Sequence, residues 1–264
     1  MKIKIHFLLV FIALTFTSGC KVNNKEKYSN LEHNIDSLFT KGDIMGFSAC
    51  IIKNSKIDWI FTKGMADNEN KIPITSSTVF MLGSTSKLFT GTAIMKLYEE
   101  GKFDLDEDIN KYLPFEIRNP NFPDSVITFR MLLTHTSSLK DVYPYIFDLY
   151  GKGDQTGISF EEILKNCYYP EGNQYKVSNF AKFKPGEKWN YCNLNFVLIA
   201  YLVERISGMP FNEFTRNRIF NPLQMNETGW FYADFDTTHI AVNYQRNEKD
   251  SIKLSRVNHY HWPG

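Results

Sequence analysis

The chain has 264 residues, of which 30 are basic, 29 acidic, 43% hydrophobic and 22% charged. That composition is ordinary for a folded protein and disfavours broad disorder, a collagen repeat and a solenoid. A nucleic-acid binder is also disfavoured, because no basic excess exists to neutralise a phosphate track.

Lys2 and Lys4 precede an apolar run from Phe7 to Phe16, which ends in Thr17-Ser18-Gly19-Cys20. A short basic region, a short apolar run and small residues read as a secretory signal. The run falls short of the roughly 20 residues that span a bilayer. Its small-small-Cys ending resembles the lipobox of bacterial lipoproteins, with Thr17 where leucine is commonest. That resemblance implies a signal over residues 1–19, a lipidated Cys20, and a lipid-anchored protein of the bacterial cell envelope facing the periplasm or exterior. Simple secretion and a retained anchor are the alternatives. Residues 20–43 then hold the lipidated cysteine, a polar tether over Lys21–Lys27 and a first helix. Cys50, Cys167 and Cys192 remain, and an odd number in an exported chain is not a disulfide framework. Cys50 lies in an apolar run and reads as a buried small hydrophobe rather than a reactive thiol.

Leu31, Ile35, Leu38 and Phe39 have helical spacing, which predicts a helix over Leu31–Phe39. Phe47–Ile52 and Ile57–Thr62 predict two strands joined at Asn54-Ser55. Thr85–Glu100 carries a broad apolar face and ends at Gly101, the strongest helix signal in the chain. Leu105–Leu113 reads as a short polar helix or turn region closed by Pro114. Thr128–Leu133 reads as a short helix capped by Thr128. Tyr143–Gly157, rich in aromatics and glycine, reads as an irregular surface segment. Ser159 and Glu162 form a capping pattern that starts another helix. Pro185-Gly186 marks a turn. Asn195–Ile206 is apolar and helical and ends near Gly208. Pro210–Ile219 predicts a further helix with Pro210 in its first turn. The tail from Trp230 is polar and mixed, and its propensities do not settle its structure.

Phe80–Lys87 reads FMLGSTSK. Ser84 begins the long helix and lies three residues before Lys87, so the two side chains share a face. A serine hydroxyl becomes a useful nucleophile when a base takes its proton, and a lysine serves when burial or charge favours its neutral form. The plain alternative is that Ser84 is only an N-cap, and Thr85 and Ser86 also read as local caps. Tyr191-Cys192-Asn193 precedes an apolar helix. A tyrosine beside a lysine can relay a proton, and an asparagine can both donate and accept. Its plain alternative is a packed tyrosine and a helix cap.

Together these segments resemble the serine beta-lactamase and penicillin-binding superfamily, in its class C beta-lactamase, D-aminopeptidase and esterase branch. Ser84-Thr85-Ser86-Lys87 matches the Ser-x-x-Lys motif, and Tyr191-Cys192-Asn193 matches the Tyr-x-Asn motif. Ile127–Leu139 resembles the segment that usually ends His-Thr-Ser-Gly-Leu, Phe183–Tyr191 the Pro-Gly segment before the tyrosine, and Pro222–Met225 the later Pro-Leu-x-Met. The resemblance implies an α/β (α+β) fold in which an antiparallel sheet is flanked by helices beside a helical region. It implies an acyl-enzyme on Ser84, proton transfer by Lys87 and Tyr191, substrate binding by Asn193, and half an oxyanion hole from the Ser84 amide. Substrates would be small molecules or peptides carrying an amide, ester or beta-lactam. No cofactor or metal is implied, and His135 takes a scaffold role. Ser138 stands where glycine is commoner and would be strained if the backbone there needs positive φ. His259 and His261 alternate as two ligands on a strand would, but no third ligand is specified.

The family's third motif, Lys-Thr-Gly or His-x-Gly, does not follow Asn193. Residues 44–264 therefore read as a partial domain whose C-terminal strands are missing and whose first hairpin keeps an exposed edge. A fragment, a natural short paralogue and a rearranged sheet are the three explanations. A serine hydrolase and an inactive envelope lipoprotein with a binding or structural role are the two functional readings.

Overall fold

A computed structural model describes residues 24–42, 44–150, 158–231, 234, 236–247 and 250–256. Cys20 and its signal, and the His259/His261 pair, lie outside the described residues. The chain folds as an α/β protein, with a small antiparallel sheet flanked by helices. Helix α1 (Asn24–Lys41) begins well before Leu31, so the latter part of the expected tether is helical. Lys27 lies inside α1 and pairs with Asp58 at 2.5 Å. The helix extends because its polar first turns have partners on the sheet. Tyr28 donates to Asp58, Glu32 accepts from Trp59 Nε1 at 2.8 Å, and Asp36 pairs with Lys63 at 2.6 Å.

Strands β1 (Gly46–Lys53) and β2 (Lys56–Asp67) form the expected hairpin, and β3 (Ile72–Pro73) adds a short third strand beside β2. Asn54 and Ser55 both have positive φ, 50° and 58°, which suits the twist of a tight two-residue hairpin turn. Trp59 and Phe61 stack at 5.7 Å on the face that α1 covers. Cys50 pairs with Ile60 in the ladder, and both are exposed. The expectation of a buried Cys50 is therefore corrected. Strand alternation sends it to the face opposite α1, where it stays exposed.

The core lies in the helical region. A 3-10 turn (Gly83–Ser86) leads into α2 (Lys87–Glu99), so Ser84 sits in the turn before the α-helix rather than inside it. Helix α3 (Phe129–Leu133) is capped by Thr128, whose hydroxyl accepts from the Met131 amide at 3.3 Å. Helix α4 (Tyr145–Tyr150) falls within the stretch expected to be irregular. Its Ile146 and Leu149 are buried, and this three-residue spacing is enough to hold one turn and a half against the core. Helix α5 (Phe160–Tyr168) has the expected Ser159 cap, accepting from Glu162 N–H at 3.2 Å.

Helix α6 (Leu194–Ser207) is buried along ten successive residues from Leu194 to Val203, and it packs on α2, α3 and α5. A helix that is apolar nearly all round belongs at the centre of a core. Gly208, at φ 69°, closes it in the left-handed conformation. Helix α7 (Phe211–Thr215) then widens into a π-type turn over Arg216–Phe220, with Pro210 at the cap. The unsettled tail contains strands β4 (Tyr244–Asn247) and β5 (Asp250–Arg256), a separate two-stranded sheet. The start of the tail is tied to earlier chain by Val79 N–H to His239 O at 2.9 Å and Val242 N–H to Ala66 O at 2.8 Å.

The segment after α3 is held against the entry to α6. His135 has φ 56° and its Nδ1 accepts from the Cys192 amide at 3.2 Å. Its carbonyl accepts from Asn190 N–H at 2.7 Å. Ser138 does have positive φ, 64°, and its buried hydroxyl accepts from Asn119 Nδ2 at 2.9 Å. Asn119 also donates to Ala181 O at 2.9 Å, so one buried amide joins two loops. Replacing it by alanine leaves the Ala181 carbonyl without this donor. Asn119→Ala should cost about 2–3 kcal/mol in urea unfolding, whereas Leu88→Ala, at an exposed position, should stay within about 0.5 kcal/mol.

Burial, and next the Lys87 charge, hold the His135 imidazole below its ordinary 6.5. The neutral ring is therefore favoured in the folded state, and protonating Nδ1 removes the acceptor for Cys192. This contribution to stability is complete above about pH 6.5 and is lost as pH falls through the depressed folded value. His135→Asn keeps an acceptor and tolerates positive φ. Its urea midpoint should fall less than that of the wild type between about pH 7.5 and pH 5.

Candidate active site

Packing of α6 on α2 brings together side chains that are 107 residues apart: Tyr191 donates from its hydroxyl to Ser84 Oγ at 2.9 Å. Lys87 Nζ lies 3.2 Å from the same Ser84 oxygen and donates to Asn193 Oδ1 at 2.9 Å. All four site residues expected near the nucleophile thus meet in one network. Ser84 sits on the turn before α2, Lys87 is the first residue of α2, and Tyr191 and Asn193 lie on the approach to α6. Cys20, the expected lipidation site, lies outside the described residues.

The local geometry separates these residues from their plain alternatives. Neither the 3-10 turn nor α2 has a side-chain cap bond. The Ser84 hydroxyl turns instead to Lys87 and Tyr191, and the buried Ser86 hydroxyl finds no partner among the described residues. The reading of Ser86 as a cap is thereby corrected. Asn193 occupies the N-cap position of α6 without capping it, because both ends of its amide are engaged elsewhere. Tyr191 is 41% exposed, so it is not simply a packed core tyrosine.

Lys87 is 8% exposed. A buried ammonium is costly unless paired or hydrogen-bonded. It rests between the rings of Tyr191 and Phe196, at 5.3 and 5.7 Å from their centroids, which suits a cation. His135 packs against the Tyr191 ring in a tilted arrangement, 4.4 Å between centroids, and holds the adjacent backbone through Cys192. Its described hydrogen bonds to the approach to α6 are with the backbone of Cys192 and Asn190. Cys192 is fully buried, and desolvation pushes its thiol well above the ordinary range. It is a packing residue between Tyr191 and Asn193.

One member of the network was not found from the sequence. Asp141 accepts from Asn193 Nδ2 at 2.8 Å and from the Leu194 amide at 3.1 Å. It lies just beyond Leu139, where the recognisable segment stops. A carboxylate two residues past that segment, in a chain whose Tyr-x-Asn asparagine must be oriented, was the available signal.

A hydroxyl within reach of an amine and a phenol has two routes by which its proton can leave, which suits nucleophilic chemistry. Among the described residues, no group of three or more metal-ligating side chains occurs.

A family model described as beta-lactamase matches residues 31–260. Protein flp of Staphylococcus aureus (strain N315) is 27% identical over 217 residues, which cover 81% of this chain and 40% of that protein. Penicillin-binding protein 4* of Bacillus subtilis (strain 168) is 31% identical over 202 residues, covering 75% and 42% respectively. The chain thus spans about 40% of the length of these curated relatives. The solved octameric penicillin-binding protein homologue from Pyrococcus abyssi superposes with a TM-score of 0.72 at 28% identity, covering 89% of this chain and 50% of that one. Sequence match, superposition and the order of segments from Ser84 to Asn193 agree, and the chain belongs to the beta-lactamase family, in the serine-hydrolase superfamily that includes the penicillin-binding proteins.

Proposed function

We propose that this protein cleaves amide or ester bonds through an acyl-enzyme on Ser84. The observation that carries the reading is the convergence of Lys87 Nζ and Tyr191 OH on one serine oxygen. As arranged, that oxygen accepts from both neighbours. Attack requires one of them to be in its basic form, amine or phenolate, so that it takes the hydroxyl proton while Oγ bonds to the substrate carbonyl carbon. The tetrahedral intermediate then collapses. The bond to the leaving group breaks, and Tyr191 returns a proton to that group. In deacylation Tyr191 or Lys87 takes a proton from water as the water oxygen bonds to the acyl carbon. The acyl–Oγ bond then breaks, that proton passes to Ser84 Oγ, and the acid product leaves. Asn193 holds Lys87 in place through Oδ1, and of the two hydrogens on its NH2 the one not given to Asp141 is the one that would meet the substrate.

The acyl donor is a small molecule or peptide. Peptidoglycan-like peptides, small esters and beta-lactams all offer the required carbonyl. The signal and its small-small-Cys ending support lipid anchorage through Cys20 in the cell envelope, where such substrates occur.

A fluorophosphonate probe or a fluorescent penicillin should label the wild type stoichiometrically, and Ser84→Ala should remove the label. Lys87→Ala and Tyr191→Phe should each slow labelling by about 10²–10⁴-fold. Folded wild-type protein that takes neither label and turns over no ester in a panel would instead favour a binding role. In cells, Cys20→Ala should abolish incorporation of an alkyne-tagged palmitate; undiminished incorporation would exclude anchorage at that residue.

A further inference from the structure

The Asp141 carboxylate has an unusual set of neighbours. Oδ2 accepts from Asn193 Nδ2 at 2.8 Å and from the Tyr143 hydroxyl at 3.1 Å. Oδ1 accepts from the Leu194 amide at 3.1 Å and from Cys192 Sγ at 3.4 Å. Every one of these groups is a donor, and an ionised carboxylate only accepts. The match leaves Asn193 a single way round.

That orientation matters because the two ends of an amide have nearly the same shape and opposite hydrogen-bonding character. Lys87 Nζ requires an acceptor from Asn193, and it meets Oδ1 at 2.9 Å. A flipped amide would set NH2 against the lysine. Nothing in the shape of Asn193 prevents the flip; the acceptor-only group behind it does.

We infer that Asp141 is a positioning residue for acylation: it fixes the Asn193 amide so that its oxygen holds Lys87 beside Ser84. The inference rests on the serine-hydrolase reading. It differs from a purely structural role, in which Asp141 would serve only as an acidic acceptor at the first turn of α6. Asp141→Asn can still accept from Leu194, but its new NH2 faces the NH2 of Asn193. The conflict is relieved by turning Asn193 round, at the expense of Lys87. Asn193→Asp alone sets two carboxylates against each other. Combining the two substitutions restores the pairing between 141 and 193 and with Lys87, because the amide at 141 donates to the carboxylate at 193, whose other oxygen accepts from Lys87. The exposed Tyr143 hydroxyl then turns to accept from the new NH2.

The test is the rate of fluorophosphonate labelling in the four members of this cycle, normalised to protein with native near-ultraviolet circular dichroism. Asp141→Asn should slow labelling at least about tenfold in the wild-type background. In the Asn193→Asp background the same substitution should speed it, by about tenfold. This reversal of sign is the expected result, because loss of a helix-end acceptor is harmful in both backgrounds. If Asp141→Asn alone does not fold, the comparison of Asn193→Asp with the double variant still decides. A double variant labelled no faster than Asn193→Asp, or Asp141→Asn labelled at the wild-type rate, would overturn the inference. An unlabelled wild type would instead overturn the serine-hydrolase reading, and the role of Asp141 would fall with it.

Discussion

The packing of α6 on α2 is the contact on which the site depends. Helix α6 is buried nearly all round, so it cannot slide or turn without exposing apolar surface. Burying a single leucine-sized side chain is worth about 1.5–3 kcal/mol, and α6 buries several. That rigidity fixes the residues just before it. Tyr191 and Asn193 are carried to the beginning of α2, where the 3-10 turn has already placed Ser84 and Lys87. The core thereby holds a cation that it would otherwise exclude. Lys87 is tolerated there because Ser84, Asn193 and two aromatic faces receive it.

The helical region and the sheet contribute differently. The described hydrogen bonds of the site come from the turn before α2, the first residue of α2, the loop after α3 and the approach to α6. The hairpin β1–β2 supplies none of them. It is held by α1 on one face and by the start of the tail at its exit. This division explains why the four side chains meet although the strand pairing among the described residues is modest.

Much of this was legible because short-range spacing and a few special residues dominate locally. Ser84 and Lys87 share a face by spacing alone, and Gly208, Ser159 and Asn54-Ser55 mark their helix ends and turn through backbone preference and capping. The tertiary features were harder. Helix α4 is short, and its two buried side chains matter only because a core lies beneath them. The first turns of α1 look like a solvated tether until Asp58, Trp59 and Lys63 are placed opposite them. Cys50 looks like core by composition, yet alternation alone cannot say which face of a strand will be covered. Asp141 was missed for the same reason: its value lies in three donors from distant chain positions, beside one from nearby Tyr143. Ser138 shows the reverse case, since the positive φ expected from the family segment is present and the hydroxyl gains a partner in Asn119.

The separation of Ser84 from Tyr191 has a consequence for the order of events during synthesis. A ribosome that has just extruded Ser84 and Lys87 has released an ordinary hydroxyl beside an ordinary solvated amine. Neither has its distant partners until Tyr191, 107 residues after Ser84, has emerged with the approach to α6. Long-range contacts of this kind form late, after loop closure has been overcome. On the proposed reading, the nascent chain carries no activated serine while it is still extended. Labelling of Ser84 would then begin only with the docking of two helices and would serve as a chemical clock for that step.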